Sequence, residues 1–210
     1  MAGLITGIDA GRVRENLTRV REELPDGVEV LAAVKYVPLE EMGTLAEAGI
    51  TLVGENRAQE LEAKAAAYPR AFRWHFIGQL QSRKVKQILP HVELIHSVAS
   101  DSALVQLERH GTPETEILVE VNVAGEEGKA GIPPDDLGGF IARCPVRVVG
   151  LMTMPPFTQD PEASRPAFAA LRALAREHDL RHLSMGTSQD YRVAAEEGAT
   201  IVRLGTSLYA

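Results

Sequence analysis

Along nearly the whole chain, short apolar runs of β-type residues alternate with alanine- or leucine-rich and amphipathic stretches. The first segment, Asp9 to Leu24, carries Val13, Leu17, Val20 and Leu24 at helical spacing, with Arg and Glu between them and Pro25-Asp26-Gly27 as a stop. It predicts an amphipathic helix ahead of the first strand. Strands are then expected from about Glu29 (EVLAAVKY), Thr51 (TLVGE), Arg73 (RWHFIG), Glu93 (ELIHSV), Glu116 (EILVEVNV), Val146 (VRVVGLMTM), His182 (HLSMG) and Thr200 (TIVRLG). Between them the helical stretches are 39–48, 57–68, 82–89, 101–110, 134–143, 161–178 and 189–197. Ser100 suits an N-cap and Gly111 a C-terminal stop for the 101–110 helix, and Pro166 obscures where the 161–178 helix begins.

Strands alternating with helices at this spacing imply βαβ units and a parallel sheet. Eight such units predict a (β/α)8 TIM-type barrel, one domain over 1–210, with the N-terminal helix completing the outer ring. A doubly wound open sheet is the alternative.

Composition narrows the partners. The 210 residues suffice for one substantial core, and with only 5% aromatic residues that core rests on Ala, Val and Leu. A net charge of −7 argues against a broad footprint for nucleic acid or an anionic membrane surface, while leaving room for a local cationic pocket. Cys144 is the single cysteine, so neither an intrachain disulfide nor a cysteine cluster is expected, which fits a reducing cytoplasm. No apolar run has the length of a signal peptide or a membrane span.

The candidate chemistry starts at Leu31-Ala32-Ala33-Val34-Lys35-Tyr36-Val37-Pro38. A lysine ending an apolar strand must reach solvent, find a partner or lose its charge. Solvation is the ordinary outcome. A neutralised lysine can instead form a Schiff base with an aldehyde, of which pyridoxal 5′-phosphate (PLP) is the commonest biological case.

In a barrel the polar residues at strand C-termini form the functional rim: Lys35, Tyr36, Glu55, Asn56, His75, Asn122, Met152, Thr153, Ser184, Ser188, Arg203, Gly205, Thr206 and Ser207. Alternation puts Leu31, Ala33 and Lys35 on one face of their strand, and Ile201, Arg203 and Gly205 likewise on one face of theirs, so a lysine and an arginine are both expected to point into the barrel mouth. Two cations with few acids nearby call for an anion. Gly205-Thr206-Ser207 and Gly186-Thr187-Ser188, after the eighth and seventh strands, offer backbone amides and hydroxyls of the kind phosphate needs. Both triplets could equally be ordinary turns, with Ser188 a helix N-cap.

His75 reads as a structural histidine before it reads as a base. His178 and His182 straddle a helix end and a strand start, which disfavours zinc, so no metal site is expected. The glycine-rich 125–131 loop lacks the spacing and the Ser or Thr of a P-loop, and neither G-x-S-x-G nor G-x-G-x-x-G occurs.

These blocks together resemble the PLP homeostasis proteins, also called the YggS or PROSC family: AVKY at 33–36, GENRAQE at 54–60, WHFIGQLQSRK at 74–84, KAGI at 129–132, GLMTM at 150–154, LSMGTSQD at 183–190 and IVRLGTSLY at 201–209. The resemblance implies the barrel of the alanine racemase N-terminal domain, with PLP held as an internal aldimine on Lys35. It further implies that Arg203 faces the pyridine nitrogen, that Ser188, Gly205 and Thr206 bind the phosphate, and that Asn56 and His75 line the pocket near the ring. Lys129 falls in a loop that the family keeps mobile. Thr187 and Gln79 depart from the family's usual methionine and proline, and the usual polar tail after Tyr209 is missing.

A protonated guanidinium beside the pyridine nitrogen keeps that nitrogen unprotonated and weakens the ring as an electron sink. Alanine racemase also takes an opposing tyrosine from a second domain, for which this chain has no room. The resemblance therefore implies a cytoplasmic, monomeric carrier for PLP homeostasis, in transient contact with PLP-dependent apoenzymes and lacking robust catalysis. Two alternatives stay open: a small PLP-dependent amino acid racemase or lyase using His75 or Tyr36, and a sugar-phosphate barrel without PLP. Arg203→Glu is expected to preserve the aldimine and shift its spectrum.

Overall fold

A computed structural model describes residues 3–126 and 128–210. Eight parallel strands close into a barrel in sequence order: β1 (Glu29–Ala33), β2 (Leu52–Glu55), β3 (Arg73–Phe76), β4 (Leu94–Val98), β5 (Glu116–Glu120), β6 (Arg147–Met152), β7 (His182–Ser184) and β8 (Ile201–Leu204). β8 pairs back onto β1, Glu29 to Ala32 lying beside Ile201 to Leu204, which removes the open-sheet alternative. Around the barrel run α1 (Ala10–Glu22), α2 (Met42–Glu47), α3 (Ala58–Ala67), α4 (Val85–Ile88), α5 (Asp101–His110), α6 (Leu137–Ala142), α7 (Arg165–Glu177), α8 (Tyr191–Glu196) and α9 (Thr206–Tyr209).

Two apolar layers hold this arrangement. Inside the barrel, Leu31, Leu52, Leu94, Leu118, Met152 and Ile201 fill the lower space. Between sheet and helices, the alternate strand residues such as Ala32, Val53, Ile95, Val119 and Val202 meet the helices' apolar stripes. α1 buries Val13, Leu17 and Val20 and is capped by Asp9, whose carboxylate accepts from the Arg12 N–H at 2.7 Å. The N-terminal helix does complete the ring, but with help: the short α9 follows β8 and packs on α1. The buried Asn16 amide ties them, donating to the Leu208 and Ala210 carbonyls at 3.1 and 2.9 Å.

Several strands stop earlier than their apolar runs. The first run reads on through Tyr36, but β1 ends at Ala33, and Val34 to Val37 form a turn closed by the Val37 N–H on the Val34 carbonyl at 3.0 Å. Likewise β5 ends at Glu120, leaving Val121 in a single bridge to Ile132. Pairing stops where neighbouring strands run out, so the apolar tails of these runs cross the barrel rim instead of extending the sheet. That rim is where the functional residues lie.

Candidate functional site

The turn after β1 is clamped from beneath. The Tyr209 hydroxyl donates to the Ala33 carbonyl at 3.3 Å, and the Lys64 ammonium donates to the Val34 carbonyl at 2.9 Å. Lys64 is held in turn by Glu55 Oε2 at 2.6 Å, with both side chains almost fully buried. The second Glu55 oxygen accepts the N–H groups of Asn56 and Arg57 at 2.7 and 3.3 Å. One buried ion pair thereby holds the Val34 carbonyl just before Lys35 and the amides of Asn56 and Arg57, immediately after β1 and β2 end. Glu55 therefore points outward under α3, not into the mouth as its place on the rim suggested.

Lys35 itself is exposed, its ammonium 5.2 Å from the centre of the Tyr36 ring. The expectation of two buried cations is corrected on this point: the turn lifts Lys35 above the barrel rim, where water reaches it. Arg203 on β8 is the buried cation. One terminal nitrogen, NH1, donates to the Ser184 carbonyl at 2.8 Å and to the Ser184 hydroxyl; NH2 donates to the Thr153 carbonyl at 2.9 Å and lies 3.8 Å from Met154 Sδ. A guanidinium has five N–H donors and no acceptor. Four are committed, and Nε–H has no protein partner among the described residues. Burial pushes the Arg203 pKa down to about 10, partly offset by Glu120 and Asp190, so it stays a cation at neutral pH.

The two hydroxyl-rich loops meet as alternation and topology predicted. The Ser188 hydroxyl collects the N–H groups of Gly205 and Ser207, each at 3.2 Å, and lies 3.0 Å from the Ser207 hydroxyl. A serine oxygen accepting from two amides stands where an anion's oxygen can replace it. Around Gly205 the space is open, with no atom beyond its own chain neighbours within 4 Å of where a Cβ would sit. Asp190 sets the Ser188 loop in place: one of its oxygens accepts from the Thr187 N–H and hydroxyl at 2.7 and 3.0 Å, the other from Ser164 at 2.9 Å. Thr187 thus has its hydroxyl occupied by Asp190.

A cavity of about 830 Å³ at this end of the barrel brings together Lys35, Asn56, Ser188, Arg203, Gly205 and Thr206, along with Tyr36, Ile77, Gln79 and Phe157. Asn56 Oδ1 is buried there without a hydrogen-bond partner. His75 does not line it. Ile77, two residues on, lines it instead, and His75 is 2% exposed in the barrel interior, Nδ1 lying 3.0 Å from His96 Nε2. Lys129 is also apart, paired with Glu126 at 2.5 Å in the 125–131 loop, of which Glu127 lies outside the described residues. Sequence reasoning missed His96, although Leu94 two residues earlier already marked its face as the barrel interior.

Burial is the main cause that lowers both imidazoles, His75 to about 3 and His96 well below its ordinary 6.5, with Arg73 and His182 adding to the first and His75 and Arg203 to the second. Above pH 6.5 neither the folded nor the unfolded chain takes up protons here. Below it only the unfolded chain does, so stability falls with falling pH until the folded rings protonate in turn. Each histidine is expected to contribute a slope approaching about 1.4 kcal/mol per pH unit below that point. Denaturant melts of wild type and His75→Phe between pH 7 and pH 4.5 check this, since equal slopes in the two proteins would refute it.

A profile of the family described as alanine racemase, N-terminal domain, matches residues 8–210. A pyridoxal phosphate homeostasis protein of Aquifex aeolicus is 40% identical over 219 residues, spanning 93% of this chain and 96% of its own length. The chain belongs to the pyridoxal phosphate homeostasis family. A human member is 32% identical, over 94% of this chain and 82% of its own. Among solved structures, PipY of Synechococcus elongatus PCC7942 without PLP superposes with a TM-score of 0.86 at 32% identity, covering 94% of this chain and all (100%) of that one. The same protein with PLP bound superposes at 0.83 and 31% identity, with the same coverage. Lysine/ornithine decarboxylase of Vibrio vulnificus, at 16% identity and TM-score 0.71 over 96% of this chain and 62% of its own, shares the fold. The homeostasis family is thus a barrel of the type that amino acid decarboxylases also use.

Proposed function

We propose that this chain binds PLP in the cavity at the C-terminal end of the barrel, captures it on Lys35, and serves PLP (vitamin B6) homeostasis and delivery without robust catalysis. The observation that carries the reading is the meeting, in one cavity, of an accessible primary amine, a single buried guanidinium with one free N–H, and a two-loop cradle of amides and hydroxyls. The chemistry of these groups fits the ligand. PLP supplies an aldehyde that an amine captures reversibly, a ring nitrogen that accepts a hydrogen bond, and a phosphate. Lys35 provides the amine, and Arg203 keeps Nε–H available to a ring acceptor. Ser188, Gly205 and Thr206 receive the phosphate, and Asn56 offers its unpartnered oxygen beside the ring. PipY, whose PLP-bound structure this chain resembles, supports the assignment.

The carrier reading draws on what the cavity lacks among the described residues. Neither a carboxylate nor an imidazole lines it, so Tyr36 is the one lining side chain besides Lys35 suited to move a proton. His75 and Glu55 are both committed elsewhere. The family's name, a homeostasis protein, agrees with a role other than turnover. Handing PLP to apoenzymes by transient contact, as a cytoplasmic monomer, completes the reading. No helix among the described residues is long and apolar enough to cross a membrane.

Incubation of PLP-loaded protein with L- and D-amino acids is expected to yield only trace racemisation or decarboxylation. Sustained turnover that disappears in Lys35→Ala would replace the carrier with a small PLP enzyme. Arg203→Glu would put a carboxylate against the Ser184 and Thr153 carbonyls, acceptor against acceptor, so loss of folding rather than a shifted spectrum is its expected outcome.

A further inference from the structure

Below the cavity floor, four buried polar residues form a continuous hydrogen-bonded chain across the barrel interior. Arg203 on β8 donates to the Ser184 hydroxyl on β7; Ser184 Oγ lies 2.8 Å from His96 Nδ1 on β4; His96 Nε2 lies 3.0 Å from His75 Nδ1 on β3. All four are at most 5% exposed.

The direction of this chain follows from one fact, that arginine can only donate. Ser184 Oγ accepts from Arg203, so its single proton must go to another group, and the one acceptor among its described partners is His96 Nδ1. His96 therefore carries its own proton on Nε2 and donates it to His75 Nδ1. His75 in turn has its proton on Nε2. Every member is neutral except Arg203, and every hydrogen bond points away from the cavity. A protonated His96 would turn a proton toward the Ser184 oxygen and oppose the chain, and burial beside the Arg203 charge prevents that state.

We propose that Ser184 and His96, backed by His75, are positioning residues for Arg203. They hold its NH1 turned into the barrel, so that Nε–H stays directed to the ligand. The inference rests on the assignment of the cavity to PLP. A packing role alone would be served as well by apolar side chains, which would leave the Ser184 hydroxyl free to rotate onto a backbone carbonyl and Arg203 one anchor short. The arrangement also accounts for two imidazoles kept neutral in a barrel whose other interior residues are mostly Leu, Ile and Met.

Three variants of the full chain test it: Ser184→Ala, His96→Phe and His96→Asn. Asn keeps an oxygen acceptor near the place of Nδ1 and serves as the conservative rescue. In the ligand-free wild type, NMR of the Arg203 guanidinium is expected to resolve slowly exchanging NH1 and NH2 protons, which average in Ser184→Ala and His96→Phe and separate again in His96→Asn. Titration with PLP, followed by the visible absorption band, is expected to show about tenfold weaker binding in the first two variants and recovery to within about threefold in the third.

Averaged guanidinium signals in wild type, or separate signals in all three variants, would overturn the proposal. So would altered thermal melts with unchanged affinity and band position, the signature of packing alone. Should His96→Phe fail to fold, Ser184→Ala decides by itself. A wild type that binds no PLP would defeat the functional assignment while leaving the guanidinium signals to judge the chain of hydrogen bonds.

Discussion

Lys35→Ala is expected to abolish the visible absorption band that forms on adding PLP, and to leave the thermal midpoint of the ligand-free protein within about 2 °C of wild type. Both halves follow from the turn after β1. The Lys35 ammonium is solvent-exposed, takes part in no hydrogen bond or ion pair among the described residues, and meets only the Tyr36 ring at 5.2 Å. Its removal costs little, because exposed side chains free of such partners contribute within about 0.5 kcal/mol. Reduction of the loaded wild type with borohydride, followed by peptide mapping, should find PLP on the peptide that contains Lys35. Attachment at Lys129, the lysine of the 125–131 loop, would move the site away from the cavity altogether. A colourless wild type would favour a sugar phosphate as the ligand of the same anion cradle.

Lys64→Met is expected to have the largest effect on stability, about 3–5 kcal/mol, which lowers the midpoint by roughly 10 °C in a chain of this size. Glu55 would stay buried without its counter-ion, and the Val34 carbonyl would lose its donor. The physical cost lies in the stranded carboxylate more than in the lost attraction, since a buried pair spends most of its Coulomb energy on desolvation. A double variant, Lys64→Met with Glu55→Leu, should therefore recover much of the midpoint. It should not recover PLP binding. With both residues gone, the Lys35 turn and the Asn56 backbone lose the side-chain link between them and keep only the backbone bond of the Val34 N–H to the Gly54 carbonyl. Equal PLP affinity in the double variant and wild type would reduce the ion pair to a structural feature with no part in shaping the cavity.

The local pattern carried a large share of this protein. Runs of alternating and continuous apolar residues located all eight strands, because a barrel strand is buried on both faces and must be apolar whatever surrounds it. Period-two alternation also set Arg203 and Gly205 on the inward face, since side-chain direction along a strand depends only on the strand itself. The hydroxyl-rich triplets after β7 and β8 were legible as sequence, whereas their joining, with the Gly205 and Ser207 amides on the Ser188 hydroxyl, needed the two loops to be neighbours in the barrel.

Tertiary structure decided what depends on neighbours. Where β1 ends, and hence that Lys35 stands in water above the rim, was set by how far the adjacent strands extend. That Glu55 turns away to Lys64 and His75 toward His96 required partners 9 and 21 residues distant to be brought within hydrogen-bonding range. The sequence alone made Lys35, Arg203 and the two loops candidates for one ligand. Only the closed barrel, by joining β8 to β1, placed them around a single cavity and ran a line of neutral acceptors beneath its cation.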